Sequence, residues 1–141
     1  MTTRTLVVLD AAIEVATGAA LIIYPTLVVR ALLGAGLSGG GIAVGRVAGM
    51  GLLCLGFACW PGGDNATAQA TKALFTYNLL VAVYLGYLAV GGGFVSYVLW
   101  PAFALHALLT VLLARPAYER ARRERLPISS RLRGYSTVRR T

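Results

Sequence analysis

Residues 6–29 read LVVLDAAIEVATGAALIIYPTLVV, a run in which Asp10 and Glu14 are the only charged positions. A helix rising about 1.5 Å per residue needs about 20 mostly apolar residues to cross the hydrocarbon core of a bilayer. The run is long enough. It also lacks the alternation of polar and apolar residues that marks a membrane β-strand. Three further stretches, about 41–60, 74–90 and 94–114, read the same way. The predicted fold is therefore all-α: a transmembrane four-helix bundle spanning residues 1–114, followed by a tail over residues 115–141.

Turn-forming residues separate the runs. Gly34 to Gly40 divides the first two, Pro61-Gly62-Gly63-Asp64-Asn65 follows the second, and Gly91-Gly92-Gly93 precedes the fourth. Residues Ala66 to Lys72 read as helix already, capped by Asp64 or Asn65. Connections this short predict that consecutive helices are antiparallel neighbours. Pro25 and Pro101 fall inside the runs, where they predict kinks. Trp60 and Trp100 fall near run ends, where amphipathic rings favour the membrane interface.

Composition agrees with lipid as the solvent. The chain has 141 residues, 57% hydrophobic and 13% charged, with a mean hydropathy of +0.72. A soluble domain carries about 25% charged residues. The N-terminal stretch has one basic residue, Arg4, and the run after it is long and contains acids, so no cleavable leader is expected.

The net charge of +8 is concentrated at one end, where Arg115, Arg120, Arg122, Arg123, Arg125, Arg131, Arg133, Arg139 and Arg140 follow the last apolar run. Basic flanks stay cytoplasmic. With four spans, both termini are then expected on the cytoplasmic side of the inner membrane, with Arg30 on the outer side. The basic tail predicts contact with anionic lipids. It contains no nucleic-acid motif, so nucleic acid is not an expected partner.

Asp10, Glu14, Arg46, Asn78 and His106 lie within the runs. An ionised group at mid-bilayer costs about 2.5–3.5 kcal/mol even on lenient scales, so such residues face protein, pair, or line a polar path. They form the candidate polar cluster. Asp10 and Glu14 are four apart and share a helix face. A Glu14–Arg46 ion pair between the first two spans is expected, either as a lock on helix register or as part of a proton or ligand site. Tyr77 and Tyr84 share a face near Asn78. His106 is the only histidine and no metal-ligand spacing is present, so no metal is expected. Cys54 and Cys59 are five apart, without CxxC or haem-attachment spacing, and read as packing residues. No nucleophile–base pair, phosphate loop or dinucleotide fingerprint appears.

Gly41, Gly45 and Gly49 repeat every four residues, and Gly56 continues their face. Small residues at this spacing let membrane helices approach closely. Ala12, Ala16 and Ala20 form a matching row on the first span, so the seam packs the first two spans together or forms a homodimer contact.

The stretch Glu14-Val15-Ala16-Thr17-Gly18 leading to Tyr24-Pro25, followed by Arg46-Val47-Ala48-Gly49 with Leu53, Leu55 and Gly56, resembles the first half of DoxX-like small four-helix bacterial membrane proteins. The resemblance implies a four-helix bundle and, through some relatives, an association with sulfur or quinone redox complexes. The single Glu14 in the first span is also similar to the small multidrug resistance family, although Arg46 and the basic tail depart from that pattern. The leading functional expectation is an accessory or assembly protein, with a homodimer or a membrane complex as partner, and not an enzyme. The alternatives are a proton-coupled small-molecule transporter using Glu14 and a quinone-linked redox protein. No cofactor is specified.

Overall fold

In the computed structural model, which describes residues 2–91, 93–94 and 96–125, the chain is all-helical: α1 (Thr3–Ile23), α2 (Pro25–Leu33), α3 (Gly39–Ala58), α4 (Asp64–Val90) and α5 (Leu99–Arg125). Four of these, over Thr3–Ile23, Gly39–Ala58, Asn65–Val90 and Leu99–Glu119, are long and apolar enough to cross a membrane. The protein is an integral membrane four-helix bundle carrying one additional short helix.

Local chemistry sets the ends of these helices. Thr2 caps α1, its Oγ1 accepting from the Thr5 N–H at 3.2 Å. Pro25 ends α1, because a proline at that point has no N–H to give and crowds the preceding turn. Tyr24 leaves helical geometry, and Pro25 becomes the first residue of α2. The run over residues 6–29 is thus two helices with a break, where a single kinked span was predicted. Gly34 ends α2 at φ 70, the left-handed conformation that glycine adopts without strain, and its N–H donates to the Arg30 carbonyl at 2.9 Å. Pro101 lies in the first turn of α5, where no intrahelical N–H is needed, so the predicted kink is absent there too. Pro116 falls inside α5 instead. That helix continues through Arg125, past the predicted end of the fourth span. The remaining tail arginines, Arg131, Arg133, Arg139 and Arg140, lie outside the described residues.

The hydroxyls of buried Thr71 and half-buried Thr110 are satisfied within their own helices. Thr71 Oγ1 donates to the Thr67 carbonyl and Thr110 Oγ1 to that of His106, each at 2.7 Å. Bonding to the carbonyl four residues back lets a polar side chain sit in an apolar helix without another partner.

The helices pack most extensively as two pairs, α1 with α3 and α4 with α5; α1 then meets α4 and α5 over a smaller area. Although residues 59–63 join α3 to α4 directly, these two share no extensive contact, contrary to the neighbour relation that the short loop predicts. The reason lies in α3, whose close-packing face is glycine and is spent on α1.

A Cβ on Gly49 would stand 2.7 Å from the Gly18 carbonyl oxygen, and one on Gly56 would stand 2.6 Å from Val15 Cγ2 and 2.8 Å from the Ala11 carbonyl oxygen. Gly45 faces Pro25 at 3.2 Å, whereas Gly41 meets only Leu37. On α1 the facing row is Ala11, Val15, Gly18 and Ile22; the predicted row of Ala12 and Ala16 is exposed and Ala20 is half-buried. The 100° step per residue explains this. With positions 11, 15, 18 and 22 turned to α3, positions 12 and 16 rotate outward while Asp10 and Glu14 lie roughly a quarter turn away, toward α4 and α5.

Leu6, Val7, Ala11, Cys59, Ala70, Leu74 and Leu113 form the apolar core at the end of the bundle near the N-terminus, with Leu55 and Phe75 packed against it. At the opposite end, α2 touches α1, α3 and α5. Ser96 Oγ donates there to the Ala31 carbonyl. Trp60 and Trp100 are exposed near helix ends.

Candidate functional site

Between the two helix pairs, beyond the apolar core, lies a closed cluster of polar side chains. Asp10 and Asn78 are fully buried and Glu14 is 1% exposed. Asn78 Nδ2 donates to Asp10 Oδ2 at 2.7 Å and to the Leu74 carbonyl at 2.9 Å. Asn78 Oδ1 lies 2.7 Å from His106 Nδ1. Tyr77 hydrogen-bonds Glu14, and its ring meets the imidazole of His106 edge-on, with centroids 5.9 Å apart.

This network has only one consistent polarity. The Leu74 carbonyl can only accept, so the amide nitrogen of Asn78 must point to it and to Asp10. The Asn78 oxygen is then an acceptor, and His106 must donate from Nδ1. Nδ1 therefore carries a proton, and in a neutral ring that tautomer would leave Nε2 as an acceptor. Both amide hydrogens of Asn78 are in use.

The carboxyls are only partly satisfied. Asp10 Oδ1 and Glu14 Oε1 are buried without a hydrogen-bond partner. No Lys or Arg among the described residues pairs with either group. An orphaned buried acceptor costs about 1–3 kcal/mol, more when charged. Such a pair is suited to gaining and losing a proton, or to holding a cation between its free oxygens. Among the described residues no group of three or more His, Cys, Asp or Glu could hold a metal ion.

The structure brings Asp10, Glu14, Asn78 and His106 together and leaves Arg46 apart. The expected Glu14–Arg46 pair is not formed. Gly49 lies against Gly18, so in antiparallel helices Arg46 is level with about residue 21. That is about 10 Å beyond Glu14 along the axis. Arg46 also lies about 100° around α3 from Gly45, away from the seam, and is exposed.

Tyr77 joins the cluster, but its expected companion Tyr84 is 61% exposed. Tyr77 was readable as a pocket residue only through its neighbour Asn78. Nothing in its spacing marked it as the partner of Glu14. Of the cysteines, Cys59 is buried in the apolar core and Cys54 is exposed.

Helices and site together define a small polytopic membrane protein with an occluded acidic cluster. No family model matches the chain, and neither a curated protein nor a solved structure is similar to it.

Proposed function

We propose that this chain is a proton-coupled carrier for small organic cations in the inner membrane, with both termini cytoplasmic and Asp10 and Glu14 as the exchanging groups. The observation that carries the reading is the pair of buried carboxyl oxygens without a hydrogen-bond partner. A structural ion pair within the bundle would have explained Glu14 without function, and Arg46, turned off the α1–α3 seam and exposed, does not supply one.

The location of the cluster supports the same reading. Its bonds between α1 and α4, Asn78 to Asp10 and Tyr77 to Glu14, cross the less extensive junction between the two helix pairs. Two ionised carboxylates on one face repel each other, so the pair is held best with protons or with a bound cation. A cationic cargo entering between the pairs would displace protons. Their return would release the cargo and restore the closed junction. Cargo and proton compete for the same oxygens, which is what couples their movements. The similarity of Glu14 to the embedded glutamate of small multidrug resistance proteins points the same way, while the DoxX-like resemblance leaves an accessory role as the competing reading.

Proteoliposomes with an acidic interior and the fluorescent cation ethidium outside test the proposal. Wild-type protein and Arg46→Gln should accumulate ethidium as protons leave, and Glu14→Gln should not, while keeping wild-type stability. Ethidium uptake by wild type no faster than in protein-free vesicles, or equal uptake by Glu14→Gln, would sink the carrier reading.

A further inference from the structure

The chain contains five acidic residues, and among the described residues none is placed beside Arg46 or Arg30. Asp10 and Glu14 face the cluster. Asp64, Glu119 and Glu124 belong to the ends of α4 and α5 at the opposite end of the bundle. Arg46 lies seven residues inside α3 from Gly39, about 10 Å along its axis. It is exposed at a level where its neighbours Val44 and Val47 are also exposed. A guanidinium at mid-bilayer costs about 2.5–3.5 kcal/mol, and reaching water or a counter-charge relieves that cost. Among the described residues no acid lies at this level of the bundle.

Beside the break at Tyr24–Pro25 lies a groove of about 430 Å³, lined by both Arg30 of α2 and Arg46 of α3. Ile23, Leu27 and Ile42 supply apolar walls, and Thr26 adds a hydroxyl. We propose that this groove binds the phosphodiester headgroup of an anionic phospholipid in the leaflet at the α2 end. Two planar guanidinium groups match phosphate oxygens in a bidentate fashion. The apolar walls suit the glycerol and the first methylenes of the acyl chains. Arginine stems lying along apolar surface with their heads turned to phosphate are the usual accommodation of this residue in a membrane. The groove lies within the length of a membrane-spanning helix, which favours a lipid phosphate over a dissolved one. This site is separate from the basic C-terminal end of α5, which lies at the other end of the bundle.

Native mass spectrometry of protein released from phosphatidylcholine nanodiscs containing phosphatidylglycerol provides the test. Wild type should retain phosphatidylglycerol that Arg30→Gln/Arg46→Gln loses, whereas Arg115→Gln/Arg122→Gln, altered at the other end, should retain it. Arg30→Lys/Arg46→Lys keeps the charge without the bidentate fork and should retain an intermediate amount, which keeps the test valid if the glutamine variant fails to fold. Equal retention by wild type and both groove variants would overturn the proposal. So would inorganic phosphate, in lipid-free detergent, protecting wild type against thermal unfolding as well as phosphatidylglycerol does. Capture of an acidic protein at the groove in place of lipid would overturn it as well.

Discussion

Substituting Gly49 by alanine tests the packing of α1 on α3 with a single methyl group. The new Cβ would stand 2.7 Å from the Gly18 carbonyl oxygen, 2.9 Å from Leu21 Cβ and 3.0 Å from Ile22 Cγ1, where ordinary contact begins at 3.4 Å. Backbone and Cβ atoms cannot swing aside, so the helices must separate by about 0.7 Å at this level. A gap of that size forfeits a quarter to a half of the dispersion attraction across the seam. Overpacking of this kind costs about 1–3 kcal/mol. Alanine recovers up to about 1 kcal/mol of helix propensity relative to glycine. With the full propensity gain the net expectation is a loss of up to about 2 kcal/mol, and relative to Gly51→Ala, which shares that gain, about 1–3 kcal/mol. Gly51→Ala, with nothing within 4 Å of its Cβ, gains the propensity and meets no clash, so it should be neutral or slightly stabilising. Cys59 is 3% exposed in the apolar core, and its thiol is a built-in reporter. In a Cys54→Ala background, a thiol-reactive dye labels Cys59 only as the bundle opens, and the temperature of half-labelling measures stability. If Gly49→Ala and Gly51→Ala shared a midpoint, the close approach of α1 and α3 would be refuted.

Two further outcomes are expected. Asn78→Leu removes the donor to Asp10 and the acceptor for His106 at once; leaving buried groups unsatisfied should cost about 1–3 kcal/mol each in the same Cys59 assay, and wild-type stability would show that the network contributes nothing. In protein lacking Cys54 and Cys59, a cysteine at Ser38 should react with an impermeant thiol reagent in intact cells and one at Gly62 should not; the reverse pattern would invert the proposed orientation.

Hydropathy made the membrane-spanning character legible, because lipid selects for length and apolarity and both are properties of a contiguous run. The break at Tyr24–Pro25 was harder to read. A proline inside a membrane helix either kinks it or ends it, and the choice depends on whether the residues beyond have somewhere to pack. Here residues 25–33 find α3 and α5. The glycine repeat of α3 identified a seam but could not fix the face of its partner, since α1 has small residues on two sides. Only the demand that Asp10 and Glu14 turn toward α4 and α5 selects the row Ala11, Val15, Gly18 and Ile22 over Ala12 and Ala16. The location of Arg46 escaped for a related reason. Along the axis Arg46 is only about 10 Å from Glu14, much of which a long stem can span. Its rotation about 100° off the seam became visible only once the seam itself was located.

The same geometry bears on why the acidic pair occupies the junction between the helix pairs and not the interior of either one. Within α1 and α3, glycine brings the backbones so close that a carboxyl side chain has no room, and any movement there would break contacts along the whole seam. Between α4 and α5, Phe103 packs over Gly86, where a Cβ would stand 3.1 Å from the ring. The α1–α4 junction is less extensive, and at the level of the cluster its specific links are hydrogen bonds from Asn78 and Tyr77. Hydrogen bonds to a carboxyl respond to its charge, whereas dispersion contacts do not. A change of charge on Asp10 or Glu14 therefore acts on the junction with the least packing to oppose it and leaves the two close-packed pairs intact. A lock on helix register would call for the opposite arrangement, with the charges inside the α1–α3 seam, where sliding is to be prevented.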